Sequence, residues 1–244
     1  MLKNVMLKFE THAHCLCSGC AHLTPEEISK KYKDAGYGGF ILTNHCSEIA
    51  YNNFWFGDTH KEKIKYFEQV IEQTRFAFSK EKIKFLFSVE VKVCNFDKTY
   101  SDYIVYGANA KMLYDNKPLY QLTQEELFRL CEKNNCFMNK VHPFRDGENC
   151  GNPQFMHEAE SFNGHSHHNN HNDMAKIFCK ENHLIEMSGT DTHCFDQPIN
   201  AGIYVPNSVD NMEQFVDYIF TGKQELICDY DLYHKAYMDY KNKQ

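Results

Sequence analysis

The chain has 244 residues, with 26 Lys and Arg against 33 Asp and Glu, and a formal net charge of −7 with neutral histidines. That length allows a single large core such as an α/β barrel, and the acidic balance lacks the electrostatic footprint of a nucleic-acid coat protein. Apolar and charged fractions of 42% and 24% exclude a disordered chain, and no run of about 18 apolar residues offers a membrane span. The unusual entries are 14 His and 11 Cys against three Arg (Arg75, Arg129 and Arg145). The cysteines are odd in number and scattered from Cys15 to Cys228, and the charge-broken start Met1–Lys8 is too short for a signal sequence. A reducing, cytosolic setting with free thiols is expected, with Cys94, Cys131, Cys136, Cys179 and Cys228 as core fillers.

Met6–Phe9 is a short apolar run that stops at Glu10. Thr24, Pro25 and Glu27 then form a capping box with proline at the first helical position, opening a helix that should end near Ala35-Gly36. Gly39–Thr43 reads as a buried strand, and Ile64, Phe67, Val70, Ile71, Thr74 and Phe78 keep helical spacing over roughly 60–79. Ile83–Val93 is read as one strand carrying Glu90, and Asp102–Gly107 as another. A second capping box at Thr123 opens a helix to about Asn134, followed by a strand over Cys136–Val141. Glu158–Phe162 (strand), Asp173–Glu181 (helix), Leu184–Met187 and Gly202–Val205 (strands) and Ser208–Phe220 (helix) complete the reading. Strands alternating with helices argue for βα units and a parallel sheet in one domain spanning residues 1–244.

The polar residues fall at the strand ends. His12 and His14 follow the first strand, His45 the second and His142 the fifth, while Asp191 and His193 follow a late one and Glu90 lies towards the end of its own. In a barrel of parallel strands these ends converge on one face, so seven metal-capable side chains from five segments should meet there. His-x-His on extended chain turns both imidazoles to the same side, and Asp191-x-His193 does the same with a carboxylate and an imidazole. Mixed nitrogen and oxygen donors suit Zn, Mn or Fe rather than Ca. A carboxylate such as Glu90 can bridge two cations, and paired cations clamp the oxygens of a phosphoryl displacement.

Glu10-Thr11-His12-Ala13-His14, Thr43-Asn44-His45, Val89-Glu90, His142-Pro143-Phe144-Arg145 and Gly189-Thr190-Asp191-Thr192-His193 resemble, in order, the successive motifs of the PHP (polymerase and histidinol phosphatase) family. The segment from Ser161 through Asn163 and His168 to Asp173 resembles the stretch before that family's last helix. The resemblance covers nearly all 244 residues. It implies a distorted seven-stranded (β/α) barrel, TIM-like, holding two or three divalent metal ions (Zn, Mn or Fe) and hydrolysing phosphate esters by a metal-activated water. It places His12, His14, Glu90 and Asp191 on one metal, Glu90 and His142 on a second, and His45 and His193 on a third. Arg145 would stand near the cluster as a phosphate-binding cation, and Asp191 or His193 would protonate the leaving group. The substrate class implied is a small phosphorylated molecule, such as histidinol phosphate or a nucleotide, with no membrane partner and no long nucleic acid.

Several positions depart from the family pattern. Glu10 and Asn44 stand where Asp is frequent, and Gly107-Ala108-Asn109 stands where some members have Gly-x-His, so a second site could lack a ligand. Cys20 and His22 are the local candidates for the further ligand after His-x-His. These departures leave open a non-catalytic or regulatory metal-binding module, and the scaffold leaves open a metal-dependent C–N hydrolase. Cys15-x-Cys17-x-x-Cys20 has no second half to complete a zinc site, and the stretch His165, His167, His168, His171 reads as a polar loop or a metal-collecting one. Gly36, Gly38 and Gly39 follow a helix and precede a strand, the wrong order for a phosphate loop. Tyr51, Phe54, Trp55 and Phe56 form an aromatic patch that is either a substrate lid or core.

Overall fold

A computed structural model describes residues 5–95 and 97–244. The first four residues, part of the segment read for a signal sequence, lie outside the described residues. The elements are β1 (Met6–Ala13), α1 (Pro25–Asp34), β2 (Gly39–Leu42), β3 (His45–Cys46), α2 (Glu48–Asn53), α3 (His60–Lys80), β4 (Lys84–Phe87), β5 (Val89–Cys94) and β6 (Tyr100–Tyr106). They continue with α4 (Ala110–Asp115), α5 (Gln124–Lys133), β7 (Phe137–Lys140), β8 (Glu158–Asn163), α6 (Asn172–Glu181) and β9 (Ile185–Gly189). Last come β10 (Ala201–Pro206), α7 (Met212–Ile219), β11 (Glu225–Cys228) and α8 (Tyr230–Lys241).

Local signals place many of these. Both capping boxes form: Thr24 and Thr123 accept from the backbone N–H groups of Glu27 and Glu126, whose side chains return the bond. Gly36, just past α1, takes the left-handed φ of +76° that ends a helix. Other readings change. The apolar run 83–93 is two strands, because Ser88 breaks it: its N–H donates to Leu42 and its hydroxyl to the Val105 carbonyl. β1 runs on through Glu10, Thr11 and His12, since burial of polar residues at a site does not interrupt the ladder. α7 starts at Met212 rather than Ser208, where Asn211 caps it by accepting from Gln214 N–H.

The expected parallel barrel is a mixed α/β arrangement of two sheets. A five-stranded sheet has the order β11-β10-β1-β2-β4 and a six-stranded one the order β3-β5-β6-β7-β8-β9. Pairings β1–β2, β2–β4, β3–β5, β7–β8 and β8–β9 are parallel; β1–β10, β10–β11, β5–β6 and β6–β7 are antiparallel. No helix intervenes between β5 and β6 or between β9 and β10, and so short a connection turns the chain back on itself. Among the described residues the sheets do not close into one hydrogen-bonded ring, but they abut. The chain passes between them at Ser88, and an isolated bridge joins Ala13 to Thr192.

One core lies under α1 and α3, where Trp55 stacks on Phe67 at 4.2 Å and Phe40 on Phe78 at the same distance. A second lies under α7, around Phe9, Tyr106, Phe137 and Phe215. Trp55 is 2% exposed and Tyr51 is buried, so these two of the aromatic patch after His45 are core, worth about 1.5–3 kcal/mol per buried large side chain, while Phe56 is exposed. Cys131, Cys136 and Cys179 are buried, Cys94 and Cys228 half-buried, and no disulfide forms among the described residues.

Candidate metal centre

Four parallel-running segments end at one face and carry the site. β1 delivers His12 and His14, the β2–β3 step His45, β7 His142, and β9 Asp191 and His193. The backbones interlock there: Asp191 N–H donates to the His12 carbonyl at 2.6 Å and His14 N–H to the Thr192 carbonyl at 3.0 Å. Gly189 permits this approach, since a Cβ there would stand 2.5 Å from the His12 Cβ. His142 and Asp191 both adopt left-handed φ values, +32° and +52°, which non-glycine residues take at a cost and retain chiefly at functional sites.

Glu90 stands at the middle. Its Oε2 lies 3.4 Å from His12 Nε2, 3.1 Å from His14 Nε2 and 2.9 Å from His45 Nδ1, and its Oε1 lies 3.4 Å from His142 Nε2. Asp191 Oδ1 is 3.3 Å from His12 Nε2, 3.4 Å from His14 Nε2 and 3.3 Å from His193 Nδ1. All seven side chains named from the sequence are therefore in one cluster. Four groups of metal-capable atoms can be drawn in it: His12, His14 and Glu90; His14, His45 and His193; Glu90, Asp102 and His142; His165, Asp191 and His193.

The donor chemistry fits a divalent cation. Both Glu90 oxygens and His45 Nδ1 are buried without a hydrogen-bond partner. An ionised carboxylate left so is costly, and a cation at its lone pairs is the usual remedy. Three imidazoles also have Nδ1 held by an oxygen acceptor. His12 Nδ1 bonds Glu160 at 2.8 Å, His193 Nδ1 donates to the Asp191 carbonyl at 2.8 Å, and His14 Nδ1 donates to Ser18 Oγ at 3.1 Å. The Ser18 hydroxyl is itself spent on Asn44 Oδ1, so it accepts from His14. Each bond puts the proton on Nδ1 and leaves Nε2 as a ligand atom.

Burial disfavours charge throughout, and neighbours decide the outcome. Burial raises Glu90, but the imidazoles of His45 and His12 outweigh it and hold the carboxyl well below the usual range. Burial likewise opposes ionisation of Asp191, but His12, Arg145 and His193 hold it well below its ordinary value. Burial works against protonated His12 and His45; Asp191, Glu160 and Glu90 around His12, and Glu90 with Cys20 beside His45, nevertheless push both well above 6.5. Burial and Arg145 drive His142 well down, and burial with His14 lowers His193 to about 3, so both are neutral.

Arg145 reaches the cluster through Asp191, its Nη2 at 2.5 Å from Oδ2, while Asn163 and Asn170 hold the rest of the guanidinium. Asn44 is not a ligand; it accepts from Cys15 N–H and Ser18 and so shapes the turn after His14. Glu10 also serves the backbone, accepting from the N–H groups of Thr11, His12 and Thr190; burial still raises its carboxyl to about 7. Cys20 is exposed at the cleft rim and His22 is exposed outside it, and no cysteine joins the metal-capable groups of the described residues.

Asn109 corrects the sequence reading. β6 runs antiparallel, so Gly107 and Asn109 lie at the far end, where Asn109 caps α4, and the start of β6 brings Asp102 to Glu90 and His142 instead. The sequence reading missed Asp102 because it assumed a parallel strand. Glu160 was also missed: it bonds His12 through Oε1 and accepts from His142 N–H and Asn163 Nδ2 through Oε2, at 2.9 and 2.8 Å. Alternation along β8 places Glu160 with Glu158 and Phe162, and only the register shift between Glu160 and Phe162, which no sequence pattern marks, brings Asn163 to the same side. Of the histidine-rich loop, only His165 is buried against the site. The open cleft over the cluster has a volume of about 480 Å³ and is walled by Lys92, Arg145, Glu148, His165, His168 and Tyr240.

No protein-family model matches the chain, and no curated protein matches it. Solved structures do. A two-domain protein from Bacteroides vulgatus containing a predicted PHP-like metal-dependent phosphoesterase superposes with a TM-score of 0.67 at 16% identity, over 96% of this chain and 70% of that one. PsfC from Pseudomonas syringae gives 0.66 at 14% identity, over 98% and 99%. The lesion-specific endonuclease EndoQ from Pyrococcus furiosus gives 0.60 at 11% identity, over 91% of this chain and 58% of that one. The chain thus has the fold of the PHP-like metal-dependent phosphoesterases, the family that its motifs resemble.

Proposed function

We propose that the chain is a metal-dependent phosphoesterase, working as one domain over residues 1–244 on a small phosphorylated substrate. The observation that carries this reading is Glu90, buried and unpartnered among His12, His14, His45 and His142, with Asp191 closing the same cluster. His12, His14, Glu90 and Asp191 would hold one cation, Glu90 and His142 with Asp102 a second, and His45 and His193 a third. Their nitrogen and oxygen donors suit Zn, Mn or Fe. Divalent cations bound there supply an acidified water and charge neutralisation for the phosphoryl group.

The chain's own residues do the positioning. Glu160 and the Asp191 carbonyl fix the tautomers of His12 and His193, and Arg145 fixes Asp191. Asp191 is held against Arg145 and His193 Nδ1 bonds the Asp191 carbonyl, and either residue would protonate the leaving oxygen. The cleft volume of about 480 Å³ and the net charge of −7 favour a small substrate over long nucleic acid. Free cysteines fit a reducing, cytosolic compartment. No described helix is long and apolar enough to cross a membrane.

The test is to measure metal per chain and then assay Mn- and Zn-loaded protein against a panel of phosphomonoesters and phosphodiesters. Turnover that a chelator abolishes is expected. Bound metal with no turnover on any phosphoester overturns the reading and favours the regulatory or C–N hydrolase alternatives.

A further inference from the structure

His165 is the buried histidine that the cluster does not explain. It is 6% exposed, its ring centroid lies 5.2 Å from that of His193, and it can be drawn into a metal-capable group with Asp191 and His193. Its hydrogen bonding is the reverse of that of His12, His14 and His193. The backbone N–H of His167 donates to His165 Nδ1 at 3.3 Å. An amide N–H is only a donor, so Nδ1 is the unprotonated nitrogen, and the single ring proton sits on Nε2. Among the described residues Nε2–H has no hydrogen-bond partner, and the residue lines the cleft. His12, His14 and His193 have Nδ1 spent on oxygen acceptors; His165 has Nδ1 spent on a donor and presents an Nε2 proton.

The same two asparagines lock His165 to Arg145. Asn163 Oδ1 accepts from Arg145 Nη2 and from His165 N–H, both at 3.0 Å. Asn170 accepts from Arg145 Nε at 2.8 Å through Oδ1 and donates to the His165 carbonyl at 3.0 Å through Nδ2. Tyr233 of α8 anchors the loop by accepting from Asn170 N–H and donating to the His168 carbonyl. A neutral donor and a guanidinium are thus fixed side by side at the cleft wall before any ligand arrives, and donors fixed in advance cost no reorganisation when charge appears.

We infer that His165 is a hydrogen-bond donor to a phosphoryl oxygen, forming with Arg145 a preassembled cradle for a phosphate group, and is not a metal ligand. The inference rests on the phosphoesterase reading and narrows it to substrates with a terminal phosphate that can reach this wall. A neutral imidazole here stabilises charge without giving up its proton, so no proton transfer through His165 is implied.

The experiment uses the full Mn-loaded chain, with metal per chain measured by elemental analysis and inorganic phosphate binding measured by calorimetry. His165→Ala is expected to weaken phosphate by about 10- to 100-fold, as loss of a hydrogen bond to a charged group does. Metal per chain should stay at the wild-type level. His165→Gln, which keeps an N–H donor near the Nε2 position, should retain both metal and most of the phosphate affinity, and it serves if the alanine variant does not fold. Loss of metal in either variant overturns the inference in favour of a ligand role. Unchanged phosphate affinity in His165→Ala, or an equal loss in His165→Gln, also overturns it. A wild-type protein that binds metal but neither binds phosphate nor turns over a phosphoester overturns the phosphoesterase reading as well.

Discussion

Histidine is dense in two stretches, 12–14 and 165–171, and the two are put to opposite use. His12 lies on β1 and His14 just past its end, both fully buried, each with Nδ1 held by an oxygen acceptor so that Nε2 faces the Glu90 and Asp191 carboxylates. The later histidines lie on a loop and scatter. His167 stacks on Tyr240 at 3.9 Å, His171 pairs with Asp146 at 3.0 Å, His168 is exposed, and only His165 turns inward, proton first. Composition counts both stretches alike. What separates them is whether the backbone presents the rings in register, and which nitrogen the neighbouring groups leave free.

The comparison breaks most decisively at Glu90. Glu90→Gln removes the charge shared by four imidazoles, and metal per chain and phosphoesterase turnover should both collapse while circular dichroism stays native; retained metal would show that the strand-end histidines are not a metal set. Glu160→Gln is the next largest change. It exchanges the acceptor of His12 Nδ1 for an amide and should weaken metal binding by about 10- to 100-fold, read by competition with a chelating dye. An unchanged affinity would mean that the His12 tautomer is not held from β8.

A pH series sharpens the same contrast. His12 and His45 in the metal-free protein carry protons above pH 6.5, because neighbouring carboxylates raise His12 and Glu90 with Cys20 raises His45. Metal must displace those protons, so affinity should rise with pH beyond 6.5 by about tenfold per pH unit for each proton released. Calorimetric titration in buffers of different ionisation enthalpy counts the protons, and none released would contradict the arrangement. The sign is that of a raised histidine: the stabilisation of the metal-free fold is complete below pH 6.5 and is lost as pH rises through the folded values. The smallest effect is expected for His167→Ala and His171→Ala, which pair with the exposed acids Asp196 and Asp146, His167 also stacking on Tyr240. Metal content should not change, and stability should move within about 0.5 kcal/mol, read by chemical denaturation.

Much of the site was legible because β1, β2, β7 and β9 obey the rule that parallel strands end on one face. His12, His14, His45, His142, Asp191 and His193 could all be placed from that rule, and the two threonine-capped helices from their boxes. Where the chain reverses, the rule misleads. β6 enters the site by its beginning, which hid Asp102 and gave Asn109 a meaning it does not have. Ser88 is one of several polar residues interspersed in 83–93 and carries no turn signal, so the passage between sheets was invisible. β11 and α8 escaped because β11 is a four-residue edge strand and α8 buries only Tyr233, too little for an apolar stripe. Tautomers lie beyond any sequence pattern, since they depend on which distant atom meets each nitrogen.

Glu90 belongs to two donor groups at once, one with His12 and His14 and the other with His142 and Asp102. Two cations held there would share the Glu90 carboxylate, and each would lower the other's affinity by the same factor, since coupling between sites is reciprocal. Loading would then proceed in unequal steps, the first ion tight and the second weaker. A half-loaded protein would be a species with its own range of ion concentration rather than an accident of preparation. Ion supply could in that way set how much of the population is competent, without any change in the fold.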